Sequence, residues 1–471
     1  MKKLLPVMIL LALLMPLCVC MAEDTALFPA RGDNGLWGYI DRSGAFAIEP
    51  RYERESPWMG RYAAVTEDGR LWGIVNARGD WVMPPEYVIT WETGGRAMAV
   101  IDADPPDIRA DHAVEDGVQV CGLFDLQTGA FTDFRWKSAD LPWFDTPMIP
   151  VLGDNGLWGC LDLDTGEQIP CRFAKIREFN EGWAVAQLPP ADGENEGICV
   201  LVSKTGNIVY PPEGLEIKWW SRVGEGLITV WDPGTQSTGY MDVSGKMVIP
   251  PHWYRGYPFE ENFAVVEDHE GYYRYIDCED NVLPGINARP EENGGYGYVN
   301  GLTSVIMRDP ESRRARFGAM NDRGEIVFTL EGENVCWLWN FMANGLAWYM
   351  EWHPEAGEYW YEYPFYGLVD SEGDKVTDSI FVCIEEEGSP FCEGLAAVFP
   401  ADDDRALIGY IDEAGKWAIA PKYAEAYSFS GGLAYVKTTD SRCGYIDHNG
   451  AEVYLWQTED GLAIWDDGLP E

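Results

Sequence analysis

Apolar residues in this chain come in short runs separated by turns rich in Asp, Gly and Pro, and the runs repeat. In residues 63–83 the pattern predicts three short strands. They are Ala63-Ala64-Val65-Thr66 (strand a), Leu71-Trp72-Gly73-Ile74-Val75 (strand b) and Asp80-Trp81-Val82-Met83 (strand c). Between a and b, Glu67-Asp68-Gly69-Arg70 carries an Asp-Gly turn signal. The b–c connection is Asp-x-x-Gly in its commonest form, at Asp41–Gly44, Asp242–Gly245, Asp370–Gly373, Asp412–Gly415 and Asp447–Gly450. Asp bonds backbone amides two residues ahead, and Gly takes the positive φ of a turn followed by a bulge. In Leu36-Trp37-Gly38-Tyr39-Ile40 both faces of strand b are apolar, so each unit needs cover from a stacked neighbour.

The same frame recurs through the chain. Full Trp-Gly pairs stand at Trp37-Gly38, Trp72-Gly73 and Trp158-Gly159, and the glycine frame continues at Gly122, Gly239, Gly318, Gly367, Gly409 and Gly444. Val200 and Arg274 hold the same place in two degenerate copies. The steps between anchors run from 35 to 49 residues, a unit of about 35 with insertions, which marks a tandem array rather than one catalytic domain. Glycine beside tryptophan suits a close approach of another backbone or an indole. Strand c meets proline at Glu49-Pro50, Met83-Pro84-Pro85, Tyr210-Pro211-Pro212, Ile249-Pro250-Pro251 and Ala420-Pro421. Proline donates no ladder hydrogen bond, so these positions are expected to end the strand. Tyr52, Tyr87, Tyr254 and Tyr423 follow, placed to fold back on the sheet. A Phe-x-x-Gly-Leu-Ala-x-Val type stretch, as at Phe179–Val185 and Phe429–Val436, then leads into the next strand a.

These features resemble the WG repeat family, whose unit runs roughly Trp-Gly-Tyr-Ile-Asp-x-x-Gly-Lys-x-Val-Ile-Pro-Pro-x-Tyr. Gly409–Tyr423 and Gly239–Pro251 match it closely, and the resemblance covers nearly all of the chain after residue 25. It implies a β-rich repeat module of many bacterial proteins, often without an assigned activity, and it brings no catalytic residues. Cys121, Phe317, Tyr366, Ile408 and Cys443 replace the tryptophan, which suits a packing position better than a ligand position. The expected fold is all-β: about eleven three-stranded antiparallel units stacked as a β-solenoid or a propeller-like assembly.

Residues 1–22 look like a secretory signal, with Lys2-Lys3 before the apolar Leu4–Leu17, which is short for a membrane span. Cleavage at Cys20-x-Ala22 would release an exported chain, secreted or in the cell envelope; lipidation at Cys18 or Cys20 is the alternative, and no second spanning segment appears. The charge is lopsided, 34 Lys+Arg against 78 Asp+Glu for a formal net charge of -44. Such a surface repels nucleic acid and anionic lipid and excludes them as partners. After residue 22 nine cysteines remain, an odd number, with no Cys-x-x-Cys pair. Most suit buried small hydrophobic positions, while Cys160 and Cys171 lie on strands b and c of one hairpin and are the pair placed to bridge.

Candidate chemistry is sparse. The five histidines fall in no His-Glu-x-x-His arrangement, and no Gly-x-Ser-x-Gly elbow or phosphate-cradling loop is present. Asp162-Leu-Asp-Thr-Gly-Glu167 resembles a calcium loop but offers too few oxygens, so a hairpin turn is expected, with no metal and no cofactor. Twelve aromatics crowd residues 337–366, and those on the insertion Glu351–Tyr363 exceed what a repeat core needs. Trp348, Trp352, Tyr359, Trp360, Tyr361 and Tyr363 are therefore the candidate partner-binding aromatics, for sugar rings or a protein surface. The expected function is a non-catalytic repeat surface for a protein or glycan partner. The alternatives are a glycan hydrolase using paired carboxylates and a structural or divalent-cation-binding envelope component.

The Gly- and Pro-rich stretch 284–301 predicts a boundary or hinge between arrays at 23–283 and 302–471. Glu459–Trp465 resembles a further strand a. The first copy has its own, so the reading is an open or split array in which residues 461–471 cover the last sheet's edge.

Overall fold

The computed structural model describes residues 26–91, 95–102, 121–142, 146–191, 196–260, 262–283, 299–308, 315–330, 332, 334–352, 365–384, 389–401 and 407–457. These residues are all-β, in small antiparallel sheets. They fall into two compact units, one within Met1–Glu178 and Tyr423–Glu471, the other within Phe179–Lys422.

Every anchor position lies on a strand paired antiparallel with the strand before it. Gly38 faces Ala30, Gly73 faces Val65, Gly159 faces Val151, Gly239 faces Val230 and Gly444 faces Val436. Val200 and Arg274, which keep no glycine, hold the same register against Ala186 and Val266. The apolar pattern on both faces has its expected result, since strands such as Cys121–Asp125 and Trp158–Asp162 are buried along nearly their whole length.

Strand c ends before its proline at Ile208–Val209, as expected, but not in most other repeats. Phe46–Tyr52, Trp81–Trp91, Gln168–Phe173 and Met247–Trp253 run through it as continuous strands. The register shows why. Trp37 pairs with Tyr52 and Tyr39 with Ile48, so one residue of strand b, Gly38, faces three of strand c. The same shift occurs at Gly73, Gly159 and Gly239. Proline sits inside this bulge, where no ladder donor is needed, and the bulge presses the backbone of strand c onto the glycine. A Cβ on Gly239 would lie 2.6 Å from Pro251 N and 2.8 Å from the Pro250 carbonyl carbon, and against Ile249 O as well. We expect Gly239→Ala to destabilise the protein by about 3 kcal/mol or more, because backbone rather than a movable side chain is struck. Urea unfolding checks this, and a loss under 1 kcal/mol would be too small for the clash described.

Beyond the bulge the chain returns to register, so in six repeats the residue before the anchor meets an aromatic fifteen positions on. The pairs are Trp37 with Tyr52, Trp72 with Tyr87, Cys121 with Trp136, Trp158 with Phe173, Thr238 with Trp253 and Tyr366 with Phe381. In the sixth repeat this returning aromatic is therefore Trp253 and not Tyr254, which stands exposed beside it. A size rule runs through these pairs. Tryptophan on strand b takes Tyr or Phe opposite, whereas Cys or Thr there takes Trp, so each of these pairs holds one indole and none holds two. Cys443 opposite Trp456 follows the same rule.

The turns behave as their residues dictate. Asp41 Oδ1 accepts from the Ser43 and Ala45 amides at 2.8 and 3.2 Å while Gly44 takes φ of 82°. Asp242, Asp370, Asp412 and Asp447 repeat this arrangement. The entry to strand a is tighter than its sequence suggests. Glu181-Gly182, Glu225-Gly226, Asn300-Gly301 and Glu393-Gly394 all have positive φ at both residues, the two-residue hairpin turn whose twist matches the strands. Asn300 and Gly301 thus open a repeat, and 284–298 of the expected boundary lie outside the described residues.

Several successive repeats stack in the same way, the b–c turn glycine resting on strand c of the repeat before. Gly79 rests on Ile48 in the first unit, and Gly245 on Val209 and Gly324 on Leu283 in the second. Gly44 of the first repeat rests on Val453 of the last in the same manner, with Val453 Cγ1 3.1 Å from where its Cβ would be. Phe28 meets Tyr445, Trp37 meets Trp456 edge to face, Phe46 meets Tyr454, and Tyr454 Oη donates to Arg31 O at 3.0 Å. The first and last repeats are thus in contact, and the last repeat packs on an apolar face of the first. Residues 458–471, with the extra strand and edge cover read from the sequence, lie outside the described residues.

Candidate functional site

Of the six aromatics singled out by sequence, Tyr359, Trp360, Tyr361 and Tyr363 lie outside the described residues. Trp348 is a core residue, 1% exposed, stacked on Phe391, edge-on to Tyr366 and Phe381, and donating from Nε1 to Ser389 O at 2.8 Å. It belongs to strand Ala347–Glu351, where inward-facing positions are filled by the repeat itself, so it is corrected to a packing residue. Trp352, one residue past that strand, is 40% exposed, and its backbone amide donates to Asn334 O.

Trp220, Tyr210 and Tyr272 are more exposed than Trp352 and Tyr254 nearly as exposed, and these four belong to the unit within Phe179–Lys422. Trp220 is 73% exposed at the tip of a turn. The turn is fixed from below, where Ser221 N donates to Lys218 O and the buried Ser221 hydroxyl bonds Thr229 Oγ1 at 2.8 Å. Lys218 pairs with Glu216 at 2.6 Å and lies 5.7 Å from the centre of the Trp231 ring. Tyr254 and Tyr272 flank Asp268, one step beyond the row Arg255, Glu267 and Tyr273. Arg255 lies over Tyr254 and Arg274 over Tyr272, at 5.7 and 5.4 Å. His269 packs edge-on to Tyr254 and shares a 3.1 Å hydrogen bond with Ser237. Sequence reading missed these residues because it assigned Tyr254 to the folding-back position that the register gives to Trp253.

Two shallow depressions are built mainly of structural polar groups. One of about 300 Å³ is lined by Asn180, Glu181, Arg222, Glu225 and Glu260. Here the Glu181 carboxylate accepts from the Glu225 and Gly226 amides at 3.0 Å, Asn180 donates to Val223 O, and Arg222 pairs with Glu260. These bonds tie together the hairpin turns of successive repeats. The other, of about 450 Å³, lies between Arg135, Trp136, Asp154 and Cys171, with Asn155 donating to Cys171 O at 2.8 Å.

The calcium-loop look-alike is a hairpin turn. Asp162 Oδ1 accepts from Asp164 and Thr165 amides, and Asp164 reaches Arg96 at 2.6 Å. Among the described residues no group of three or more His, Cys, Asp or Glu is placed to hold a metal ion. Cys160 and Cys171 are free thiols, like the other seven cysteines after residue 22. Cys160 pairs with Ile169 in the ladder while Cys171 lies in the bulge, where Sγ meets Val151 O at 3.8 Å. Burial pushes the Cys160 thiol well above its ordinary value, the opposite of what a nucleophile needs.

Tandem antiparallel hairpins with glycine–proline bulges define a β-repeat protein. The family model for the WG containing repeat matches residues 37–69, 158–188, 239–273 and 408–440, and the chain carries WG containing repeats. Comparison with curated proteins found no sequence match. Among solved structures, dipeptidyl peptidase 4 of Porphyromonas gingivalis is 11% identical, over 87% of this chain and 60% of that one, with a TM-score of 0.35. BamB from Moraxella catarrhalis is 12% identical, over 71% of this chain and 95% of that one, at 0.26, and the computationally designed Ika8 protein is 10% identical, over 66% and 96%, at 0.31. At such TM-scores the likeness carries no argument about this chain.

Proposed function

We propose that this chain is an exported, non-catalytic repeat protein that presents a binding surface to a glycan or protein partner. The observation that carries the reading is the set of exposed aromatics: Trp220 on its braced turn, and Tyr254 and Tyr272 beside paired strands with Arg255 and Arg274 over their rings. Rigid aromatic rings offer large contact area at little entropic cost, and they stack on the apolar faces of sugar rings as readily as on protein side chains. The repeat frame supplies rigidity, since each sheet is covered on both faces by its neighbours. The acidic remainder of the surface discourages nucleic acid and anionic lipid.

The test is a screen of the purified chain against cell-wall glycans and envelope proteins, followed by Trp220→Ala and Tyr272→Ala. Each substitution should weaken binding of any ligand found by about tenfold or more while leaving the unfolding midpoint unchanged, because both side chains face solvent. Unaltered affinity in both variants, or no ligand across the screen, would remove the proposal.

A further inference from the structure

Tyr254 and Tyr272 are exposed, yet both rings are held in place. Arg255 lies over Tyr254 at 5.7 Å. The His269 ring meets Tyr254 edge-on and shares a 3.1 Å hydrogen bond with the Ser237 hydroxyl of the preceding repeat. Arg274 lies over Tyr272 at 5.4 Å and pairs with Asp268 at 3.4 Å. Asp268 is fixed in turn, its Oδ1 accepting from the Glu270 and Tyr272 amides at 3.0 and 2.9 Å. The backbone sets the spacing. Tyr254 N donates to Glu267 O and Asp268 N to Tyr272 O, so strand Phe263–Glu267 runs between the segments that carry the two tyrosines. Two strand spacings separate those segments, about 10 Å. We propose, resting on the binding-surface reading above, that Tyr254 and Tyr272 form a platform for a neutral polysaccharide whose successive rings are flipped, as in cellulose or chitin.

The ground between the tyrosines is polar. Asp268 offers a carboxylate that accepts from sugar hydroxyls and Arg274 a guanidinium that donates to them. A protein-docking hot spot instead needs an apolar floor from which water is excluded. The charges beside the rings also cancel. Arg274 is matched by Asp268, and Arg255 by Glu267 at 3.9 Å, so the platform draws neither an acidic nor a basic polymer, although the whole chain carries -44. The spacing selects the linkage. In a flipped-ring chain every second sugar turns the same apolar face the same way, one disaccharide length apart, close to two strand spacings. Tyr254 then stacks on one sugar and Tyr272 on the next but one, with the sugar between them over Asp268 and Arg274. An α-linked glucan coils instead and loses the second contact.

Titration calorimetry of the full chain with cello- and chito-oligosaccharides of two to six sugars tests this. Affinity for one series should rise about tenfold or more between the disaccharide and the tetrasaccharide, because the second ring contact needs three sugars. Tyr254→Ala and Tyr272→Ala should each cancel that rise, bringing the tetrasaccharide to within about twofold of the disaccharide. Tyr254→Phe and Tyr272→Phe should keep it, since the ring does the stacking. The Phe variants and the length series decide the matter even where an Ala variant folds poorly. No binding in either series, affinity independent of length, or an unchanged rise in both Ala variants would overturn the proposal. So would tighter binding of maltohexaose, polygalacturonate or a poly-L-proline peptide. A ligand weakened by Trp220→Ala but indifferent to Tyr254→Ala and Tyr272→Ala would overturn the platform while leaving the broader binding-surface reading intact.

Discussion

Arg96→Met is expected to lower stability by about 3–5 kcal/mol at neutral pH, the cost of leaving a buried carboxylate without its partner. Arg96 and Asp125 are 6% and 2% exposed, and the guanidinium meets Asp125 at 3.1 and 3.4 Å and Asp164 at 2.6 Å. Arg96 opens one repeat, Asp125 ends that repeat's strand b, and Asp164 belongs to the next repeat's turn. One side chain therefore joins two repeats of the first unit. Burial opposes ionisation of Asp125, but the Arg96 hydrogen bonds, the Gln127 amide and the Thr128 hydroxyl outweigh it and hold the carboxyl below the usual carboxylate range. A lowered folded value means this stability is present above the unfolded value and is lost as pH falls through the folded one. The gap between wild type and Arg96→Met should then narrow on moving from pH 7 to about pH 3. Asp164→Asn should cost no more than about 1 kcal/mol, since Asp164 is largely exposed. Urea unfolding at both pH values provides the check. A gap that widened in acid, or an Asp164→Asn variant as damaged as Arg96→Met, would contradict this account.

The second large effect is expected at the junction of the first and last repeats. Trp456→Ala should cost about 3–5 kcal/mol, because the buried indole packs on Trp37, Tyr435, Tyr445 and Tyr454 at once. The size rule adds a sharper test in the Cys443–Trp456 pair. Cys443→Trp alone should overpack the site by about 1–3 kcal/mol, and Trp456→Tyr alone should leave a void. Combined, they recreate the Trp-with-Tyr pairing of Trp37 and Tyr52, so the double variant should be more stable than the sum of the single effects predicts. A double-mutant cycle by chemical denaturation measures the coupling. Strict additivity would show that the two positions are not coupled across the ladder.

Much of this architecture was legible in the residues because it is local. Positive φ at the turn glycines, amide acceptance by Asp41 or Asp242, and antiparallel pairing of strands a and b are decided within a few residues, so short patterns report them. The anchor register extends even to Val200 and Arg274, where the glycine is lost but the flanking apolar positions still fix the strand. The proline positions were visible and their consequence was not. A proline ends a strand if nothing faces it, but here the glycine opposite removes the Cβ that would block a bulge, and that partnership exists only once b and c are paired. The same bulge sets the fifteen-residue return that makes Trp253, not Tyr254, the packing aromatic.

Density of aromatics between Trp337 and Tyr366 marked a region but could not sort it. Trp348 and Trp352 differ by four places in sequence and fall on opposite sides of the packing boundary, because one lies within strand Ala347–Glu351 and the other just past its end. Contacts remote in sequence were beyond reach altogether. Gly44 resting on Val453 and Arg96 bridging to Asp164 depend on how sheets stack, and stacking leaves no periodic trace in the chain. The sequence by itself determined the repeat, its turns and its apolar faces, since these follow from backbone sterics and burial at short range. Only the tertiary structure decided which faces meet, which aromatics stay in water and where a charge is enclosed, since those follow from packing between segments tens to hundreds of residues apart.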